Sequence, residues 1–268
     1  MAWGCFCWIP CPYKKWNDDD RTAMVAMLPL VGTGLALVTG LVWMAVIALG
    51  APPILAGATV TAAYFVMTGF IHLDGFMDVC DAVMPRHPEM ETRRRILKDP
   101  HTGSFAAVSM ALMFLVFAAS AAALSELWVE GALAFVCVAT TSRCVSAVSV
   151  ISSRPMETSQ YVTTDFGREQ SFRHSLPAII ITVLVLAGCI AVTVGIPGSP
   201  AWQMASGWYL PAAPAVWCVP AAAVCAVTEL IIGALDRRSL GGMNGDISGH
   251  MITSGEMAGM LAAALLIG

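Results

Sequence analysis

The chain has 268 residues, 57% of them hydrophobic and 12% charged, with a formal net charge of -4. A soluble domain carries about 25% charged residues, so this chain lacks the polar surface to face water all round. The small net charge and the lack of a basic stripe exclude a nucleic-acid-binding role.

Residues 1–21 hold Trp3, Trp8, Tyr13 and Trp16. Such aromatics suit the membrane–water boundary, and the segment reads as an interfacial anchor. Its apolar stretch Trp3–Cys11 precedes Lys14 and Lys15, the reverse of a signal peptide's order. A membrane span needs about 20 mostly apolar residues. Seven stretches qualify: Thr22–Gly50, Pro53–Ile71, Ser104–Leu124, Ala132–Ile151, Leu176–Ile196, Leu210–Ala234 and Ile247–Ile267. Pro29 and Gly32 predict a kink or break in the first. Pro211, Pro214 and Pro220 predict a late start for the sixth. The expected fold class is all-α: one domain, 1–268, forming a polytopic integral membrane protein of about seven transmembrane helices.

Lys and Arg set the orientation. They fall in the N-terminal segment (Lys14, Lys15, Arg21), after span two (Arg86, Arg93, Arg94, Arg95, Lys98), in and after span four (Arg143, Arg154, Arg168, Arg173) and after span six (Arg237, Arg238). The alternate loops, Ala51–Pro52, Ser125–Gly131 and Pro197–Tyr209, have none. The N-terminus is therefore expected in the cytoplasm and the C-terminus outside. The nine cysteines include no C-x-x-C pair. Cys137, Cys144, Cys189, Cys218 and Cys225 lie in apolar runs, where thiols act as small hydrophobes. Cys5, Cys7 and Cys11 cluster without a nearby His and do not fit a zinc site.

The chemistry concentrates in 72–103. Asp74, Asp78 and Asp81 stand at i, i+4 and i+7, so a helix places them on one face. Three neighbouring carboxylates repel one another and call for a cation. Their hard oxygens suit Mg²⁺, or Mn²⁺, which completes its shell with substrate phosphates. A solvated helix face is the bland alternative. The apolar neighbours Phe76, Met77, Val79 and Cys80 argue for packing on the other faces and for an Asp face turned toward an interior cleft. Arg93, Arg94, Arg95, Lys98 and Asp99 follow, then His101 and Gly103. Cations beside a carboxylate–metal site fit a polyphosphate, although positive-inside topology alone accounts for Arg86 and most of the triplet. A second polar stretch, Gly241-Gly242-Met243-Asn244-Gly245-Asp246, lets backbone approach a ligand and opens span seven with N–H groups that favour phosphate. Glu256 lies inside that span, and an intramembrane acid is a functional candidate. Glu229 and Arg143, also within spans, read equally as paired structural charges.

These residues resemble one family, adenosylcobinamide-GDP ribazoletransferase, or cobalamin synthase. Gly69, His72, Asp74, Gly75, Asp78 and Asp81 fill its G-x-H-x-D-G-x-x-D-x-x-D stretch, with Phe70 in place of the second glycine of a pair. Lys98, Asp99 and Gly103 meet its basic-Asp-x-x-x-Gly pattern. Ser142 and Arg143 meet its Ser-Arg pair. Gly241, Gly242, Gly245, Asp246 and Glu256 meet its closing G-G-x-x-G-D stretch and the Glu beyond it. Pro100 and His101 replace the usual Ser-Arg, and Ala82 replaces a frequent Gly.

The resemblance implies transfer of adenosylcobinamide phosphate from adenosylcobinamide-GDP to α-ribazole or its 5′-phosphate, with release of GMP. It implies metal binding by Asp74, Asp78, Asp81 and Asp99, and catalytic roles for His72, Lys98, Arg143, Asp246 and Glu256. It implies substrate contacts at Gly75, Gly103, Gly241, Gly242, Asn244 and Gly245. It also implies a multi-pass protein of a prokaryotic inner membrane with its site facing the cytoplasm, in a homo-oligomer or alone. Two alternatives are a CDP-alcohol-type phosphotransferase, whose D-G-x-x-A-R pattern Asp78 breaks, and a cation-coupled transporter. Transporter acids gather near the midplane of repeated halves, whereas these gather at one face and no repeat is evident.

Overall fold

A computed structural model describes residues 1–11, 16–157, 159, 168–195 and 214–267. Among them all regular structure is helical, apart from an isolated bridge between Pro155 and Met243. In chain order the helices are α1 (Ala2–Phe6), α2 (Arg21–Ala26), α3 (Leu28–Ala48), α4 (Pro53–Met67), α5 (Ile71–Val83) and α6 (Met90–Ile96). There follow α7 (Ser104–Leu124), α8 (Trp128–Ser152), α9 (Arg168–Gly195), α10 (Pro214–Leu240) and α11 (Gly245–Ile267). The predicted loop Pro197–Tyr209, the predicted sixth-span start at Leu210 and Pro211, and Tyr13, Lys14 and Lys15 lie outside the described residues.

The expected break in the first span falls at Met27, between α2 and α3. Pro29 stands in the first turn of α3. Its ring has no N–H and clashes with the carbonyl four residues back, which stops α2 from running on. The second span ends at Met67, not Ile71. Gly69 and Phe70 take φ of 62° and 59°, and Ile71 opens α5, bent 93° from α4. The 13 residues of α5 are ~20 Å long at 1.5 Å per residue. That is less than the roughly 30 Å of a hydrocarbon core, so α5 is too short to cross by itself.

Among the described residues four stretches are long and apolar enough to cross a membrane: Leu28–Ala48, Ser104–Ser152, Gln170–Thr193 and Cys218–Leu240. The bent α4–α5 pair makes a fifth when taken as one. The Ser104–Ser152 stretch folds back on itself, because the rings of Phe117 in α7 and Phe135 in α8 are 6.0 Å apart. Leu41, Leu115, Leu184, Ile231 and Leu265 point outward and are exposed. Water does not tolerate such a continuous apolar exterior, and lipid does.

Inside, α11 runs through the middle and packs on α10, α5, α8 and α7, while α3 lies on α8 and α4 on α7. Tyr64 meets Phe135 edge-on at 4.8 Å, and Phe65 meets Phe117 at 5.4 Å. Each such pair adds about 0.5–1.5 kcal/mol beyond area burial. Hydrocarbon tails are as apolar as leucine, so shape and polar contacts must do the sorting between helices.

Candidate active site

The site grows from one close helix crossing. A Cβ at Gly75 of α5 would sit 2.7 Å from the Asp246 Cα of α11, and one at Gly249 would sit 2.8 Å from the His72 carbonyl oxygen. Only glycine permits this approach. It carries Asp74 and Asp78 to the first turn of α11, where Asp246 stands. Asn244 caps that helix: its Oδ1 accepts the Ile247 N–H at 3.0 Å, and its Nδ2 donates to Asp246 Oδ2 at 2.7 Å. The preceding turn is fixed from two sides. Met156 N–H donates to Met243 O and Met243 N–H to Arg154 O, both at 2.9 Å. A Cβ at Gly242 would sit 2.8 Å from the Met156 nitrogen, so glycine is required there too. From α6, Arg93 Nε donates to Ser239 O at 2.8 Å and Arg94 Nε to Leu240 O at 2.7 Å. The two guanidiniums thus cap the C-terminal carbonyls of α10, where cations are favoured.

Asp74 is exposed, and Asp78, Asp81 and Asp246 are half-buried. The Asp face therefore opens outward along its edge and does not look into an interior cleft. Burial first, then the charges of Asp74, Asp246 and Asp81, push the Asp78 carboxyl up to about 6. Negative charge without a compensating cation, on hard oxygen donors, fits Mg²⁺. The carboxylates do not close a ligand shell by themselves among the described residues. The expected set of Asp74, Asp78, Asp81 and Asp99 is therefore not brought together as a metal centre among the described residues.

Asp81 has a further role. Its Oδ2 accepts the Gly103 N–H at 2.6 Å and its Oδ1 the Ala106 N–H at 2.9 Å. It caps α7 from a distance, and each oxygen keeps another lone pair. Asp81→Ala should lower stability by about 1–2 kcal/mol through loss of this cap. Asp74→Ala, at an exposed position, should leave the thermal midpoint in detergent nearly unchanged. Equal midpoints for the two variants would remove the capping role. Asp99 is taken up by His101, whose ring and backbone nitrogens lie 2.7 and 3.0 Å from Asp99 Oδ1. That hydrogen bonding lowers the Asp99 carboxyl. Lys98 and Asp99 line a groove with Glu89, Glu91, Arg94 and Arg95.

The remaining candidates lie elsewhere. Arg143 and Glu256 form a buried ion pair with each other. Tyr64 Oη donates to Glu256 Oε1 at 2.6 Å, and the Arg143 guanidinium stands 5.5 Å over the Tyr64 ring. Glu229, fully buried, accepts from the Cys225 thiol at 3.6 Å. His72 is two residues before Asp74 and so on the opposite side of α5. It is buried, stacked on Phe6 at 6.3 Å. Burial, and then the Arg143 charge, hold its ring well below the usual histidine range. Tyr64 is a residue that sequence reasoning missed, since an aromatic in an apolar span carries no signal of a polar partner.

The chain matches the family described as Cobalamin-5-phosphate synthase over residues 1–264. The chain belongs to that family. Among curated relatives, the adenosylcobinamide-GDP ribazoletransferase of Clostridium perfringens (strain 13 / Type A) is 28% identical over 268 residues, covering 99% of this chain and 96% of the relative. The one from Clostridium botulinum (strain Alaska E43 / Type E3) is 26% identical over 272 residues, with the same coverage. The one from Geotalea daltonii is 28% identical over 244 residues, 90% of this chain and 86% of the relative. No solved structure matches the chain. The CDP-alcohol and transporter readings find no support in these relatives. In this cobalamin-5-phosphate synthase family member, the motifs read from sequence separate into two places. The aspartates and the glycine turn meet at the α5–α11 crossing, and Arg143 with Glu256 forms a buried polar centre behind it.

Proposed function

We propose that the chain joins adenosylcobinamide-GDP to α-ribazole or its 5′-phosphate at the α5–α11 crossing. The observation that carries this reading is the contact of Gly75 with Asp246, which sets two distant acidic motifs side by side. The relatives named as adenosylcobinamide-GDP ribazoletransferases support the substrate.

In this reading an oxygen of the ribazole substrate attacks the phosphorus on the cobinamide side of the pyrophosphate. A new O–P bond forms as the attacking hydroxyl gives its proton up to solvent, the P–O bond to GMP breaks, and GMP leaves with the electron pair. Mg²⁺ or Mn²⁺, held by Asp74, Asp78 and Asp246 with Asp81 beside them, would supply charge neutralisation on the pyrophosphate. α11 begins at this crossing, and a helix N-terminus favours phosphate, although its Ile247 and Ser248 N–H groups are already taken by Asn244. Asn244 fixes the direction of Asp246. Arg93 and Arg94 hold the glycine turn, while exposed Arg95 and Lys98 stand in a groove whose acids, Glu89, Glu91 and Asp99, match its cations in number. GMP release from adenosylcobinamide-GDP by purified membranes should require a ribazole acceptor and a divalent ion. Release that persists after thorough removal of divalent ions would sink the metal part.

The membrane arrangement belongs to the same proposal: seven spans in a prokaryotic cytoplasmic membrane, with the N-terminus and the acidic site in the cytoplasm. The distribution of Lys and Arg supports it. An impermeant thiol reagent added outside should label Glu126→Cys and miss Glu89→Cys, both exposed positions. The opposite pattern would reverse the orientation.

A further inference from the structure

The exterior of α4 and α7 carries a groove that the proposed reaction does not use. At one end the two helices touch: a Cβ at Gly57 would sit 2.4 Å from the Ala118 carbonyl oxygen and 2.6 Å from the Ala122 nitrogen. Nearer the α4–α5 bend, rings set the spacing, because Phe65 meets Phe114 edge-on at 5.2 Å. Between these levels the small side chains of Ala58, Ala62 and Ala118 leave a cavity of about 440 Å³, with Phe70 lining it at the bend. Thr61 is the one polar side chain of that lining, and its hydroxyl is spent on Gly57 O at 2.7 Å. The groove therefore offers an occupant apolar contact and no side-chain hydrogen bond. Phe70 itself takes a φ of 59°, a left-handed conformation that costs a bulky residue more than glycine. Its ring is 50% exposed, so core packing does not fully offset that strain.

We propose that this groove holds one acyl chain of a membrane phospholipid, with Phe70 as the wall that retains it. The groove is continuous with the apolar exterior, where the same helices expose Leu55, Val66, Leu112 and Leu115. Its occupant must then be apolar, slender and present in the bilayer. The ten residues from Gly57 to Met67 rise ~15 Å, half of the roughly 30 Å hydrocarbon core and so the depth of one leaflet. A chain inserted methyl end first toward Gly57 brings its ester group to the level of the bend. In the groove the chain touches protein on both flanks and at its base, and each added contact contributes dispersion that a flat helix surface does not supply. The Asp74 N–H donates to Phe70 O at 2.9 Å, so a lipid that steadies Phe70 also braces the first turn of the acidic helix. A groove washed by freely exchanging bulk lipid is the competing reading.

The test is native mass spectrometry of the detergent-purified full chain, titrated with palmitoyl-oleoyl phosphatidylethanolamine. Wild type should retain one lipid more than Ala62→Trp, whose indole fills the groove from an exposed position. Leu184→Trp, on the exposed face of α9, should match wild type. Phe70→Gly should bind that lipid about 10-fold more weakly, the effect of losing roughly half of a phenyl group's burial. Its thermal midpoint in lipid-free detergent should not fall, since glycine relieves the left-handed φ. Equal retention by wild type and Ala62→Trp, or no lipid retained by wild type, would overturn the site in favour of exchanging lipid. Unchanged affinity in Phe70→Gly would overturn the part given to Phe70. Where Ala62→Trp fails to insert, Ala58→Leu obstructs the same groove and decides. Lipid retention is read without turnover, so its outcome is separate from that of the transferase reading.

Discussion

Asp74→Asn and Asp78→Asn are each expected to slow GMP release at least about 100-fold, roughly 2.7 kcal/mol of transition-state stabilisation, comparable to losing one strong electrostatic stabiliser. The substitution keeps side-chain size and removes one ligand charge. Folding should survive it. Asp78 already bears burial and three like charges, which push its carboxyl up to about 6. Losing a neighbouring charge relaxes that repulsion. Asp74 is exposed, and exchanging one of its oxygens for nitrogen there should not unfold the chain. The comparison is with Glu89→Gln and Glu91→Gln, exposed acids of the segment that follows α5, which should keep wild-type rates. Single-turnover GMP release with each variant in membranes, at saturating Mg²⁺, separates the cases. Wild-type rates for both Asp variants would reduce the face to a solvated helix surface and end the proposed mechanism.

What sequence made legible here follows the reach of each physical signal. Apolar length is local, and the predicted third span, Ser104–Leu124, coincides with α7. The second span was read past its end because Gly69 and Phe70 reverse the chain through their φ angles, which leave no mark in hydrophobicity. The pattern that the sequence resembles does carry the mark. It places glycine where Phe70 now adopts the left-handed conformation that glycine favours. The i, i+4, i+7 spacing of Asp74, Asp78 and Asp81 gave one helical face. It could not give Asp81 its two backbone partners on α7, nor Asp99 its tie to His101, because those depend on where the next turn of chain lands. The cost of placing an acid in lipid marks Glu256 as a functional candidate, while Arg143 and Glu229 read equally as paired structural charges. That signal finds the residue and not its partner, and in the fold Arg143 and Glu256 are each other's partners.

The buried centre gives the second large expected effect. Arg143→Met should lower stability by roughly 3–5 kcal/mol, the cost of leaving a buried charge unpaired. Arg143 and Glu256 are 2% and 1% exposed. With Arg143 gone, Glu256 still has the Tyr64 hydroxyl at 2.6 Å, and Glu229 remains nearby with its thiol contact from Cys225 at 3.6 Å. Three helices, α4, α8 and α11, lose their common polar tie together. The double variant Arg143→Met, Glu256→Met should recover much of the loss, because replacing both partners of a buried pair by apolar groups of similar size is often near neutral. A clamp acting on substrate behaves otherwise: Arg143→Met would then fold as wild type and lose turnover, and the second substitution would restore nothing. Thermal unfolding in detergent, read beside GMP release per folded molecule, distinguishes the two. A wild-type midpoint for Arg143→Met with turnover abolished would move Arg143 out of the structural centre and into contact with substrate.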